Sequence, residues 1–547
     1  MPTQRIQFTE WLPDQPAIGQ GLQDAKNVVP VSAGYAPFPS ASNFSNAASE
    51  SLNNVFVGKI GDTVQLFGGG ATKLFKFDAT NLNMTDVSKT GAYSSTVRWQ
   101  YTQFGSILIA TNYHEPVQAW TLGTSSTWQD LGTYINGTYT RALTVVTVTT
   151  ATAHGLTTGN TYKIYFKTGG ALSGNYVITS TGSTTFTLTT VASGTIASSN
   201  MSVYTSSAPT AKYVTVVRDF VVAANILDTP NKLQWSDIAN EQNWTSGNAS
   251  QADFQMIADG GNITGITGGE FGIIFLEKAI YRMSYIGSPY FFQFDAISRN
   301  LGCIEGNSVA QYGGMSYFLS DDGFYSCDGR TITPIGVEKI DRYFYSTFNL
   351  AKSDTMSATI DPIRKLVIWN YPTVTGGNAL IIYNWQLQKW TRAETDTNYV
   401  AAAASTGTTL EGIGTLYTNI ETVPASFDDR IWAGGKYTLA GARGSYIVTF
   451  TGTNTTANII LSDFENGYNS VVKLAIPIID NGAATVAIAS RRELDDNISF
   501  STPAASGEGN RVPLRSAGRW HRLSITPTGS WTTAIGVDVD TETQGGR

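Results

Sequence analysis

Histidine, cysteine and charge are what this chain has least of. Three histidines in 547 residues, His114, His154 and His521, leave little material for a histidine-based triad or a histidine-rich metal site. Two cysteines, Cys303 and Cys327, are too few for a disulfide framework, and their separation fits no zinc spacing, so both are expected as buried free thiols. Charged residues make up 14% of the chain, against roughly 25% in an average globular protein. The balance of 35 Lys plus Arg against 42 Asp plus Glu gives a formal charge of −7 and a pI near 5.2. With no basic run or stripe to neutralise phosphates, this composition argues against tight electrostatic binding of DNA or RNA. No stretch approaches the ~20 apolar residues of a membrane span, and MPTQRIQFTEWLPDQP lacks the apolar centre of a secretory signal. The expectation is a soluble chain made in the cytoplasm, without membrane insertion.

Catalytic signatures are missing as well. There is no H-E-x-x-H, no G-x-S-x-G, no phosphate loop ending in Lys-Ser/Thr and no G-x-G-x-x-G after a strand. Gly68-Gly69-Gly70 is read as a flexible hairpin turn. Paired carboxylates could serve a glycosidase, and three adjacent pairs exist: Asp321-Asp322, Asp428-Asp429 and Asp495-Asp496. Neighbours on a strand point to opposite faces, and Asp beside Gly is ordinary turn chemistry. The repeated S-x-D-x-G-x-T-W boxes of sialidase propellers are absent, since Ser320-Asp321-Asp322-Gly323 carries its glycine one position early. Asp538-Val539-Asp540-Thr541-Glu542 could suggest calcium, but the alternation of Val with Asp reads better as a half-buried strand. Trp520-His521-Arg522, with Arg515 and Arg519, gathers the C-terminal cations on a solvated or interface-forming strand, an anion site being the minor reading. No residue is nominated as catalytic, cofactor-binding or metal-ligating, and no cofactor is implied.

What is present is strand. Val64-Gln65-Leu66-Phe67, Ser106-Ile107-Leu108-Ile109-Ala110, Phe220-Val221-Val222-Ala223, Gly272-Ile273-Ile274-Phe275-Leu276, Leu366-Val367-Ile368-Trp369 and Ala379-Leu380-Ile381-Ile382-Tyr383 are short β-branched or aromatic runs closed by turn residues. One brief helical spacing covers Val337-Glu338-Lys339-Ile340-Asp341-Arg342-Tyr343-Phe344. The apolar runs recur: units beginning near Val55, Phe104, Phe220, Phe271, Ser316, Leu366 and Arg430 are roughly 45 to 60 residues apart once residues 141–206 are set aside, the period of four-stranded propeller blades. The expected fold is all-β, a six- or seven-bladed β-propeller, with Trp99, Trp120, Trp128, Trp235, Trp244, Trp385 and Trp390 filling the wedges between blades. Two or three unrelated β-sandwiches are the bland alternative.

The expected organisation has five parts. Residues 1–50, rich in Gly, Pro, Ser and Ala from 13 to 49, form an extended N-terminal arm able to lie over a neighbouring subunit. Residues 51–140 and 207–440 form the blades. Residues 141–206, Thr- and Gly-rich with alternating strands, form an inserted small β-sandwich or barrel, in which His154 is a turn residue. Residues 441–547 form a C-terminal β-region.

Three segments carry a resemblance. Trp11-Leu12-Pro13-Asp14-Gln15-Pro16, Gly21-Leu22, Ala25-Lys26-Asn27-Val28-Val29-Pro30 and Gly34-Tyr35-Ala36-Pro37-Phe38 resemble the opening of tail nozzle or hub proteins of short-tailed bacteriophages. Ser320-Asp321-Asp322-Gly323-Phe324-Tyr325, Asp328-Gly329, Ile335-Gly336 and Ile340-Asp341-Arg342-Tyr343-Phe344 look like a blade of that family. Gly518-Arg519-Trp520-His521-Arg522 and the ending Gly545-Gly546-Arg547 are similar too. The 141–206 module resembles small β-modules inserted in many phage structural proteins and departs from the nozzle pattern. The resemblance implies a non-enzymatic structural virion protein in the viral tail, assembled in the host cytoplasm. It implies a homohexameric ring below the portal and adaptor protein, giving attachment to a tail fibre or spike and conducting genome DNA during ejection without sequence-specific binding. A receptor-binding or adhesive tail component gripping a surface glycan is the rival, and a carbohydrate-cleaving propeller is a third possibility.

Overall fold

An apolar run buried at every position needs cover on both faces of its sheet, which only an inner strand receives. Phe220–Ile226, Gly272–Leu276 and Leu366–Pro372 are such runs, buried throughout. Each is the second strand of a four-stranded antiparallel set, lying at 211–256, 263–298 and 357–395. The strand before it is more mixed, as in Ile263–Thr267, which alternates buried with half-buried positions. The computed structural model describes residues 3–543 apart from 62, 90, 95–96, 249, 405–412, 415–418, 424–425 and 427–436.

Among the described residues, six separate four-stranded sheets recur, at 52–86, 100–130, 211–256, 263–298, 310–334 and 399–449, the last completed by Ser42–Asn43. The set at 357–395 has the same antiparallel order but continues into a large C-terminal sheet. The chain is therefore an all-β protein with propeller blades, an inserted β-module and a C-terminal β-region. The apolar starts at Phe220, Phe271, Ser316 and Leu366 mark second strands rather than first ones, because double-sided burial is what makes a run continuously apolar. Val55 does fall in a first strand and Phe104 ends one, while Arg430 lies outside the described residues.

The chain divides into two compact units, Met1–Val57 with Phe77–Met84 and Ile304–Arg547, and Gly58–Lys76 with Thr85–Cys303. In the second unit a seven-stranded sheet builds the inserted module around Val146, Val148, Ile164, Phe186, Met201 and Val203. It begins before Arg141, within Gly132–Ala142, which pairs with Ile196–Ser207 from Gly132↔Ser207 onward. That lead-in is mostly Gly, Thr, Tyr and Asn, so apolar periodicity does not mark it. Gly68-Gly69-Gly70 is no turn: it is the buried end of Thr63–Gly70, where Gly68 and Gly69 pair with Phe75 and Leu74 and the Trp99 indole donates to the Gly70 carbonyl.

In the first unit the N-terminal segment is not a free arm. Thr3–Gln7 pairs with Thr533–Thr543, Asp24–Lys26 bridges Asn458–Ile460 and Lys389–Thr395, and Val28–Val31 folds back on Gly34–Pro37. Phe8, Trp11, Leu22, Val28, Tyr35, Phe38 and Phe44 are all buried. These apolar anchors outweigh the turn residues between them, because burying each is worth roughly 1.5–3 kcal/mol. Gly34, at φ +134°, is needed where the segment touches the Ala534 carbonyl, since a Cβ there would collide with it. The 441 boundary also moves: Tyr437–Arg443 and Tyr446–Thr449 still belong to a blade, and the C-terminal sheet starts at Asn458. Asp538 to Glu542 lie on Thr533–Thr543 with Val539 and Thr541 buried, the alternation expected of them. The helix spans Asp341–Thr347; Glu338, at φ +56°, holds the preceding residues in a turn.

Candidate functional site

The N-terminal and blade segments that carry the resemblance meet in the first unit. The Asp14 carboxylate accepts from the backbone N–H groups of Arg342 and Tyr343, both at 2.8 Å, satisfying donors that the start of a helix leaves unpaired. Trp11 sets its ring edge-on to Tyr343 at 5.0 Å and donates to the Gln23 carbonyl at 3.2 Å. Lys339 pairs with Glu10 at 2.8 Å. Gly323 and Gly336 both lie against the Asp341 carboxylate, leaving no room for a Cβ at either. The Phe324 N–H donates to that carboxylate at 3.2 Å, yet burial dominates and pushes its pKa up to about 7. The Phe324 ring packs on Phe344, Trp369 and Trp390, and the Trp390 indole donates to the Ile335 carbonyl. These contacts tie the N-terminal segment to the helix and to the sheet beneath it.

At the C-terminal sheet, His521 is wholly buried between two hydroxyls, Ser470 Oγ at 2.8 Å from Nε2 and Ser490 Oγ at 2.7 Å from Nδ1. Burial lowers its pKa to about 4. Ser470–His521 has the spacing of a nucleophile and its base, but both side chains are sealed from solvent. Arg522 forms a bidentate pair with Asp463 at 2.9 and 3.0 Å, and Arg491 pairs with the same carboxylate. Arg519 pairs with Glu465 at 3.1 Å. Arg519 and Arg522, on either side of this stretch, are thus each paired with a carboxylate of the same sheet.

The remaining singled-out residues are scattered. Asp321 and Asp322 are exposed in a turn, with the Tyr325 hydroxyl donating to Asp322. Asp496 closes another turn by accepting from the Arg492 and Glu493 N–H groups. Asp428 and Asp429 lie outside the described residues. His154 is a turn residue whose Nδ1 accepts from the Leu156 N–H, and His114 is exposed at a bend. Cys303 and Cys327 are buried thiols outside any disulfide. Among the described residues, no group of three or more His, Cys, Asp or Glu could hold a metal ion. Of the seven tryptophans assigned to wedges, six are buried and Trp385 is half-buried.

One place escaped the sequence reading. A cleft of about 130 Å³ in the second unit is lined by Lys89, Asp130, Tyr134, Tyr165, Lys167 and Tyr204, among others. Its lining residues Tyr165 and Lys167 stand two apart in the sequence, the spacing that puts side chains of extended chain on one face.

No family model matches the chain, and no curated protein matches it. Among solved structures, YCF48 bound to D1 peptide is 7% identical with a TM-score of 0.34, over 76% of this chain and 98% of that one. The WD40 domain of Toxoplasma gondii coronin is 9% identical with a TM-score of 0.36, over 78% and 87%. A puromycin-hydrolyzing peptidase of Mycobacterium tuberculosis is 10% identical with a TM-score of 0.29, over 65% and 56%.

Proposed function

We propose that this chain is a structural, non-enzymatic virion protein: the nozzle or hub of a short bacteriophage tail. It assembles as a homohexameric ring below the portal and adaptor, conducts genome DNA outward during ejection, and gives attachment to a fibre or spike. The observation that carries this reading is the packing of two separate resemblance-bearing segments into one hydrophobic core. Trp11, Leu22, Ala25, Val28 and Tyr35 share that core with Phe324, Ile340 and Phe344, and Asp14 caps the Asp341–Thr347 helix from over three hundred residues away.

The charge balance supports the same reading. A conduit must not hold its polyanionic cargo, and a net charge of −7 with 14% charged residues offers DNA little attraction. Exposed Ile18, Val337, Leu350 and Val374 on the first unit are apolar surface that a closed ring of heterologous contacts would cover.

Electron microscopy of the purified protein over a concentration series, alone and with its candidate adaptor ring, tests this directly. Six-fold end-on views with an open centre are expected. Particles that stay monomeric even with the adaptor, or that form three-fold assemblies, would overturn it.

A further inference from the structure

In the second unit one lysine and two carboxylates are shut in together. The Trp128 N–H donates to the Val87 carbonyl at 2.9 Å, which draws Lys89 alongside Gln129–Asp130. The Lys89 and Asp130 side chains are 9% and 4% exposed, and that of Glu115, from the connection ahead of Gln118–Thr121, is 15% exposed. Lys89 Nζ lies 3.3 Å from Asp130 Oδ1 and 3.3 Å from Glu115 Oε2. The Tyr93 and Tyr165 rings stand 5.4 and 5.2 Å from the same nitrogen, so aromatic faces as well as charge hold it in place.

The two acids are held differently. Each oxygen of Asp130 takes a neutral donor: the Gln118 amide on Oδ1 at 2.5 Å and the Tyr204 hydroxyl on Oδ2 at 3.0 Å. Gln118 is fully buried and stands opposite Asp130 in the strand register. Burial, with the Asp130 charge adding to it, pushes the Tyr204 pKa up, so that hydroxyl keeps its proton and remains a donor. Donors on both oxygens draw negative charge off the carboxyl group and are placed to hold the oxyanion that forms when a nucleophile adds to its carbon. In Glu115 both donors, the Ser94 N–H and hydroxyl at 3.0 Å, fall on Oε1, while Oε2 faces Lys89. That is the arrangement of a base pinned beside the nitrogen it deprotonates. Asp130, the more buried acid, is thus the electrophile and Glu115 the proton carrier.

We propose that the folded chain cross-links itself here, forming an amide between Lys89 Nζ and Asp130 Cγ with Glu115 carrying the protons. The Lys89 ammonium gives one proton to Glu115, and the electron pair this frees adds to Cγ. A second proton leaves the nitrogen by the same route. Both protons pass to one Asp130 oxygen, its C–O bond breaks, and water departs. One N–C bond has formed and one C–O bond has broken, the amide nitrogen keeps one hydrogen, and Glu115 ends as it began, so no oxidant or cofactor is needed. Lys89 and Asp130 both line the cleft of about 130 Å³, which gives the water a way out. Fixing the amine against its electrophile replaces the concentration that such a condensation lacks in open solution. The product exchanges two buried charges, costly to keep from water, for one neutral amide. The proposal stands independently of the tail reading.

Intact-mass spectrometry of the purified full-length chain, incubated at neutral pH and then unfolded in denaturant, decides it. The native chain should be lighter than its sequence by one water molecule, and a protease digest should contain a branched peptide joining Lys89 to Asp130. Lys89→Arg and Asp130→Ala should each restore the full mass. Glu115→Gln, which keeps the shape of the side chain but cannot take the proton, should leave most of the chain uncondensed after the same incubation, with its fold checked by circular dichroism. The mass of the native chain keeps the test decisive where a variant fails to fold. A native chain of full mass would show an ion pair and nothing more, and would overturn the proposal. So would a water loss that maps to any other pair of residues, or a folded Glu115→Gln variant that condenses as fast as the native chain.

Discussion

His521 gives the C-terminal sheet an acid-sensitive point whose size follows from its surroundings. In the unfolded chain its imidazole titrates near 6.5; in the fold, burial between Ser470 and Ser490 lowers that to about 4. A base with a depressed folded pKa is protonated first in the unfolded state, so the stability it confers is fully present above pH 6.5. It drains away as pH falls toward 4 and is constant below. At about 1.36 kcal/mol for each tenfold change in proton affinity, the loss across that window is about 3 kcal/mol. His521→Gln keeps a neutral hydrogen-bonding group there and does not titrate. Urea unfolding of both proteins at pH 7.5, 6.5, 5.5 and 4.5, followed by tryptophan fluorescence, gives the stability difference at each pH, and every carboxylate common to the two cancels. The native protein should lose about 3 kcal/mol relative to the variant between pH 7.5 and 4.5. Parallel curves would mean that the imidazole is already accessible to protons in the fold, and the account of its burial would be refuted.

Asp341 has the opposite sign. Its pKa rises from 3.8 to about 7 on burial, so the folded state holds the extra proton and the associated stability is complete below pH 3.8 and lost as pH climbs through 7. Asp341→Asn should therefore raise the melting temperature at pH 8 but not at pH 4, and a lower value at pH 8 would sink the idea. Gly336→Ala drives a methyl group into the Asp341 carboxylate and should cost about 1–3 kcal/mol; the penalty should shrink in an Asp341→Ala background, and strict additivity of the two changes would contradict the contact. Trp11→Ala removes a buried anchor of the N-terminal segment and should destabilise by about 3–5 kcal/mol, measured by chemical denaturation; a loss below about 1 kcal/mol would show the segment to be peripheral. Lys89→Met strips the counterion from Glu115 and Asp130, whose side chains are 15% and 4% exposed, and should cost about 3–5 kcal/mol, whereas a neutral result would show those carboxylates to be solvated.

How far the sequence reveals this fold depends on how many faces of a strand are covered. Phe220–Ile226, Gly272–Leu276 and Leu366–Pro372 stand out because burial on both sides demands an unbroken apolar run. Their outer neighbours, such as Phe291–Ser298, mix exposed and buried positions and blend into the turns. The blade period is therefore legible although its phase is displaced by one strand. The Gly132–Ala142 lead-in escapes for a related reason, since its partner supplies backbone pairing while half its side chains face solvent or the polar cleft.

The N-terminal segment shows the limit most clearly. Its glycines, prolines and serines describe an extended chain correctly, but composition does not say whose surface such a chain lies on. The anchors Phe8, Trp11, Leu22, Val28, Tyr35, Phe38 and Phe44 follow neither the period of two of a strand nor the 3.6 of a helix. That irregularity is informative in itself. A segment crossing several sheets places an apolar residue wherever a gap opens, so its spacing is set by the geometry of the sheets it crosses: Thr533–Thr543 for Thr3–Gln7, Asn458–Ile460 for Asp24–Lys26, and Tyr446–Thr449 for Ser42–Asn43. Large buried side chains without period, inside a stretch rich in turn residues, therefore mark chain stitched into its own fold. A true intersubunit arm would leave such anchors exposed in the isolated subunit, and here they are covered.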